Sequence, residues 1–155
     1  MIVPFVPGVH ARGNAINGNG CGAVTWATSL SFTHPRPKLS NHSYRGFETD
    51  VTQAHIHFGA RATTGGISVW LCKTTQTGPG ADDAQTCPAR AGTIEGTIEP
   101  ADVVGPAGQG ITTGEWEEFI DALRAGVTYA NVHSTARPPG EIRAQLNEDD
   151  DHGRW

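Results

Sequence analysis

Two histidines stand one residue apart in the segment TQAHIHFGA, residues 52–60. A β-strand points alternate side chains to opposite faces, so His55 and His57 share one face. Ile56 suits the core, which sets both histidines on the outward face. Their Cα atoms would lie about 6.6 Å apart, and both imidazoles can then reach one ion at roughly 2.0–2.1 Å per bond. The spacing predicts part of a metal site, with a plain polar strand surface as the alternative.

A third imidazole is available in VTYANVHS, residues 127–134. Ala130 and Val132 suit the core, so we expect His133 on the outward face of its strand. Three histidine nitrogens with an open fourth position suit copper or zinc. Because the sequence does not give the pairing of these strands, the spacing alone leaves both the metal site and the polar surface open.

The segment PPGEIRAQL, residues 138–146, places Glu141 and Arg143 on one strand face. As functional residues, Glu141 would accept a hydrogen bond from an imidazole and Arg143 would guide an anion. As surface residues, they would form an ion pair worth less than about 1 kcal/mol. Ser134 directly follows His133, so the two side chains take opposite faces and do not form a nucleophilic pair. The sequence identifies no catalytic residue.

Two of the three cysteines, Cys72 and Cys87, flank the polar loop KTTQTGPGADDAQT. A disulfide that closes a loop of this length stabilises a protein by roughly 3 kcal/mol in the chain-entropy model. No CxxC metal pattern competes, so we expect this disulfide, with two separate buried thiols as the alternative. A disulfide implies an oxidising compartment. Cys21 remains as a free thiol or as a link to a second chain.

Alternating apolar residues and turn signals predict an all-β fold, an antiparallel Greek-key-like β-sandwich or barrel. One segment, TTGEWEEFIDALRAG, instead carries apolar residues at helical spacing and predicts a short helix near 114–125 that covers a sheet edge. The proline-rich residues 34–43 are predicted to form a loop. The predicted strands are 23–32, 50–58, 66–72, 92–99, 127–134 and 141–146.

The chain length of 155 residues fits one domain. We expect an irregular segment at 1–22, a single β-sandwich domain at 23–147 and a mobile acidic tail at 148–155. The segment NEDDDHGRW, residues 147–155, which contains this tail, is typical of a solvated charge run.

Charge and hydropathy exclude two classes of partner. The net charge is −5, and the 11 Lys and Arg residues are scattered singly, which argues against a nucleic-acid binder. No segment approaches the roughly 18 apolar residues that a membrane helix needs. The opening MIVPFVPGVH lacks the basic start of a signal peptide, so either the protein is cytoplasmic or its leader is missing from this sequence.

From residue 51 onward the chain resembles the chordin-repeat (CHRD) domain family. The motifs that carry the resemblance come in the family's order: TQAHIHFG, GGISVWLC, CPARAGTIEGTIEPADVVGPAGQGI, FIDALRAGVTYANVHS and PPGEIRAQL. The resemblance implies an extracellular β-sandwich module, and it supports both the Cys72–Cys87 bridge and a missing leader. It implies a location outside the cell, in the periplasm or on the cell surface, and an extracellular protein or surface as partner.

A fainter likeness concerns metal chemistry. AHIHFG resembles the copper strand of copper/zinc superoxide dismutases, and His133 is similar to their late copper histidine. The bridging histidine and the zinc-loop ligands of those enzymes have no counterpart here.

The main expectation is a secreted CHRD binding or structural module, carrying a mononuclear copper or zinc site of His55, His57 and His133. The alternatives are a copper-dependent redox enzyme and a metal-free structural or adhesive domain.

Overall fold

The computed structural model describes residues 9–16, 23–33 and 36–148 of the chain. Two short 3₁₀ helices, Pro100–Asp102 and Ala107–Gln109, follow the sixth strand. The regular elements are β1 (Val9–Ile16), β2 (Ala23–Thr33), β3 (Arg36–Arg45), β4 (Val51–Phe58), β5 (Gly66–Lys73), β6 (Gly92–Thr97), α1 (Trp116–Arg124), β7 (Thr128–Ser134) and β8 (Ile142–Glu148).

The eight strands pair in the order β5-β4-β7-β8-β1-β2-β3-β6, and every pair is antiparallel. The two halves of this order meet where β8 joins β1, through the pairs Val9 with Glu148 and His10 with Asn147. Strands of both halves contribute to one apolar cluster, for example Leu30 and Ile94 from one half and Ile56 and Val132 from the other. The predicted all-β antiparallel sandwich is therefore confirmed.

The helix predicted near 114–125 is confirmed as α1, Trp116–Arg124. Its apolar stripe buries Phe119, Ile120 and Leu123, while Trp116 packs partly against the same core. Gly126 ends the helix with a φ of 66°, a left-handed conformation that glycine adopts without steric cost.

Two strands differ from the prediction. Residues 9–16, within the segment expected to be irregular, form β1 because they pair with β2 along their whole length. Residues 36–45, within the expected proline loop, form β3. Pro37 pairs with Phe32 of β2 at the second position of β3, and the pairing of β3 with β6 begins only at Lys38, so the proline lies at a strand end, where it is tolerated. The limits proposed for the domain stay a prediction.

The predicted disulfide between Cys72 and Cys87 is confirmed. Cys72 lies near the end of β5, and the backbone N–H of Cys87 donates to the carbonyl of Lys73, so the bridged loop returns to the edge of that strand. Cys21 and residues 149–155 of the predicted tail lie outside the described residues. Within the described part of the chain, no helix has the length and apolar character to cross a membrane.

Candidate metal centre

The three histidines singled out from the sequence come together on one face of neighbouring strands. His55 and His57 lie on β4, which pairs with β7, the strand that carries His133. One ring nitrogen from each residue can be chosen so that all three lie within 4.8 Å of one another. Alternation along the two strands, with Ile56 and Val132 in the core, therefore places the imidazoles together as expected.

The predicted exposure of this face is wrong. The side chains of His55, His57 and His133 are only 1%, 9% and 7% exposed. Trp70 covers His55 edge-on at 4.2 Å between ring centroids, and Tyr129 stacks on His57 at 4.8 Å. The face opposite the core is thus covered by aromatic rings and loops, which strand alternation alone does not reveal.

Strand β4 is irregular at the site itself. Its register against β5 shifts between Ala54 and His55 and again between Ile56 and His57. Such bulges twist a strand and change the direction of nearby side chains, and they are frequent next to functional sites. One register shift directly precedes each histidine, so the local backbone sets the direction of the two rings.

Backbone carbonyls fix the tautomers of two rings. His57 Nδ1 lies 2.9 Å from the carbonyl oxygen of Gly65, and His133 Nδ1 lies 2.7 Å from that of Pro138. A carbonyl only accepts, so each Nδ1 carries the proton and each Nε2 carries a lone pair. This is the usual arrangement of histidines that bind a metal.

Two imidazole nitrogens of the cluster are buried without a hydrogen-bond donor. His55 Nδ1 lies 3.2 Å from His57 Nε2, while the Nε2 atoms of His55 and His133 are buried and have no hydrogen-bond partner. A buried polar atom without a partner is costly, at roughly 1–3 kcal/mol. A cation held by one nitrogen of each ring, with His55 Nδ1 beside His57 Nε2, would satisfy the lone pair of His133 Nε2 that the protein leaves unpaired.

Electrostatics keeps the three rings neutral. Burial, with smaller contributions from His133 and His57, lowers the pKa of His55 from 6.5 to about 2. Burial also lowers the pKa of His57 and of His133, although carbonyl hydrogen bonds oppose the shift in both. Metal ligands must be deprotonated, so at neutral pH protons do not compete for these nitrogens.

The spacing suits an ion of ordinary bond length. Two nitrogens 3.2 Å apart, as in His55 and His57, subtend an angle of roughly 100° at an ion about 2.05 Å from each. Nitrogens on opposite sides of such an ion would be about 4.1 Å apart, so any pair near the limit of 4.8 Å would draw closer on binding. All three donors are imidazoles, the ligand class that copper and zinc share.

The profile of one protein family, the CHRD domain, matches residues 16–146, more than four fifths of the chain. The chain belongs to the CHRD domain family. No curated protein and no solved structure gives a significant match. The confirmed family and the confirmed disulfide agree with the extracellular setting in which CHRD domains occur, and they support a structural or binding module.

In this CHRD domain, Arg143 and Tyr129 form a second layer around His57. The Arg143 guanidinium carbon lies 3.5 Å above the centre of the Tyr129 ring, which itself stacks on His57. Sequence reasoning named Arg143 but missed Tyr129. The same alternation that selected His133 puts Tyr129 on that face, four residues earlier. The Gly65 and Pro138 carbonyls leave no signal in the sequence, because every residue has one.

Glu141 does not contact the imidazoles through any hydrogen bond in the described chain. Its carboxylate instead accepts a hydrogen bond from the hydroxyl of Ser134, and the acceptor for His133 is the carbonyl of Pro138. Backbone carbonyls therefore orient the imidazoles, the role that the functional alternative gave to Glu141. The proposed functional roles of Glu141 and Arg143 stay predictions.

A cleft of about 290 Å³ gives the CHRD site an approach from solvent. His57 and His133 line it, whereas His55 lies deeper. Glu141 and Arg143 border the cleft as well. A three-histidine centre beside such a cleft has room for a water or a small ligand at a fourth position.

Proposed function

We propose that this chain is an extracellular CHRD binding or structural module that holds one copper or zinc ion on His55, His57 and His133. The observation that carries the proposal is a triangle of three neutral imidazoles in which His55 Nδ1 lies 3.2 Å from His57 Nε2 and His133 Nε2 is buried without a hydrogen-bond partner. A purely structural cluster would be expected to pair that nitrogen with a donor, because unpaired buried nitrogens are costly.

The direct test is metal analysis of protein purified without a histidine tag, stripped with a chelator and reloaded with Cu(II) or Zn(II). We expect one ion per chain for the wild type. His133→Asn and His57→Asn should lose most of that binding, because two imidazoles form a weaker and less specific site. His42→Asn is the matched control, since His42 is also fully buried but is not a member of the cluster.

Two results would overturn the proposal. The first is metal well below one ion per chain in the reloaded wild type. The second is equal binding by His133→Asn and the His42→Asn control. Thermal unfolding of each metal-free variant shows whether it is folded under the conditions of the titration, so a lost site and a lost fold are distinguished.

A copper-dependent redox enzyme is the second candidate, favoured by the cleft that reaches His57 and His133. Three protein ligands with an accessible fourth position are typical of catalytic rather than closed structural sites. Superoxide turnover by the copper-loaded protein, lost in His133→Asn, would support this candidate. Stoichiometric copper binding without superoxide turnover would reject the enzyme and support the metal-binding module. A metal-free adhesive domain is the outcome if the wild type binds no metal.

The extracellular location belongs to the same proposal and is supported by the disulfide between Cys72 and Cys87. Thiol labelling of the native protein from its host tests it. Both cysteines should be protected until a reductant is added. Free thiols at both positions in the native protein would contradict an oxidising compartment.

A further inference from the structure

We propose that Arg143 and Tyr129 are positioning residues that hold His57 in one ring plane and one tautomer, and so set the affinity and geometry of the ion. This inference rests on the proposed function, because it concerns how the same site is built. It assigns a role to a side chain that touches no ligand nitrogen directly. The argument uses two independent connections between Arg143 and His57, one through rings and one through a loop.

The first connection is a stack of three planar groups. The Tyr129 and His57 rings are nearly parallel, with an interplanar angle of 2° and centroids 4.8 Å apart. The Arg143 guanidinium lies 3.5 Å from the Tyr129 ring centre and occupies one face of that ring, so the imidazole takes the other. A cation over an aromatic face is attracted electrostatically by the quadrupole of the ring. The stack restrains His57 against rotation out of its plane.

The second connection runs through the loop between β4 and β5. Arg143 Nη1 donates to the carbonyl of Thr63 at 2.6 Å, and Nη2 donates to that of Ala60 at 3.0 Å. The same loop supplies Gly65, whose carbonyl accepts from His57 Nδ1. The guanidinium therefore ties down the loop that fixes the His57 tautomer.

Gly65 is held from the tyrosine side as well. Its backbone N–H donates to the Tyr129 hydroxyl at 3.0 Å, while its carbonyl faces His57. The two connections thus converge on one residue, Gly65, and through its carbonyl on one ring nitrogen. The exposed position of Arg143 does not make it a free surface charge, because two arms of its fork already bind carbonyls.

A lysine cannot replace this arginine. The guanidinium is flat, so it lies on the ring and still reaches two carbonyls in a fixed fork, whereas an ammonium is a compact point charge. Arg143→Lys keeps the positive charge near the site but removes the flat guanidinium that stacks on Tyr129 and donates to two loop carbonyls. That variant separates positioning from simple electrostatics.

The experiment compares the wild type with Arg143→Gln, Arg143→Lys and Tyr129→Phe, each titrated with Cu(II) against a competing chelator. We expect both Arg143 variants to bind about 10–100-fold more weakly, the range seen when groups that orient metal ligands are removed. Tyr129→Phe keeps the stack and loses only the hydroxyl, so its loss should be smaller. Arg124→Gln removes an exposed arginine from α1 and should match the wild type.

Two spectra provide readouts that a general loss of stability would not move. The Cu(II) electron paramagnetic resonance spectrum should change in both Arg143 variants, because the His57 nitrogen shifts relative to the ion. Imidazole ¹⁵N–¹H spectra of the metal-free proteins should show a protected His57 Nδ1–H in the wild type and faster exchange in Arg143→Lys. The second readout needs no metal.

The outcomes separate this inference from the proposed function. A wild type that binds no copper overturns the proposed site and the inference with it. Stoichiometric copper in the wild type, with the same affinity and spectrum in both Arg143 variants, overturns the inference alone. If Arg143→Gln does not fold, Arg143→Lys and Tyr129→Phe decide the question.

Discussion

His42 should make the stability of this protein fall as the pH falls, independently of the metal centre. The residue lies on β3 with no exposed surface, its Nδ1 is 2.7 Å from the Thr28 hydroxyl, and its Nε2 has no partner. Burial lowers the pKa of His42 from 6.5 to about 4. Protonation of this ring would create an imidazolium in the apolar interior, where burial disfavours the charged form.

The sign follows from proton binding. Between pH 6.5 and pH 4 the unfolded chain takes up a proton on His42 and the folded chain does not, so acid favours unfolding. The stabilising contribution is complete above pH 6.5 and is lost as the pH falls towards 4. From pH 7.5 to pH 4.5 the two pKa values correspond to a loss of about 2.5 kcal/mol in the free energy of unfolding.

Urea unfolding at pH 7.5 and pH 4.5, with a chelator present, measures this loss. The matched variant is His42→Asn, which retains an amide near Thr28 and cannot be charged. Carboxylates and the other histidines titrate in both proteins, so their effects cancel in the difference. The stability of the wild type relative to the variant should fall by about 2.5 kcal/mol at the lower pH. A difference that is the same at both pH values would refute the reasoning.

Three further substitutions test the fold and the site. Cys72→Ser opens the disulfide loop and should lower the free energy of unfolding in urea by about 3 kcal/mol; an unchanged midpoint would contradict this. Gly65→Ala should weaken copper binding in a chelator titration, because its new Cβ would lie 1.7 Å from the Phe58 carbonyl oxygen and displace the loop. Gly108→Ala, with no atom within 4 Å of its Cβ, is the control and should bind as the wild type does. Phe119→Ala should cost about 3–5 kcal/mol in the same urea assay, and a loss below 1 kcal/mol would show that the α1 contact contributes little.

Strand periodicity was enough to predict the members of the histidine cluster. A period of two puts His55 and His57 on one face and His133 on the equivalent face of its own strand. The sequence did not give the pairing of β4 with β7, because pairing depends on contacts between residues 70 or more positions apart. It also did not give the burial of the cluster, which depends on Trp70 and on loops that fold back over the sheet.

The elements that were missed have a common physical cause. Neither VHARGNAI of β1 nor RPKLSN at the start of β3 has regular apolar alternation, and both strands pair with β2. Backbone hydrogen bonds are formed by nearly every residue type, so the sequence does not show which segments pair. A proline near a strand end also argues against a strand unless the neighbouring strand is known to stop there. The carbonyls of Gly65 and Pro138 were unpredictable for the same reason.

The distance in sequence between β4 and β7 has a consequence for how an ion would enter. In the unfolded chain only two of the three imidazoles, those of His55 and His57, are held near each other, and the third arrives when the two strands join. Uptake of a tightly held ion would therefore report the pairing of β4 with β7, and release would accompany their separation. A metal-sensitive probe would then follow the assembly of this sandwich in real time, because the rate of ion uptake would measure the rate at which the two strands pair.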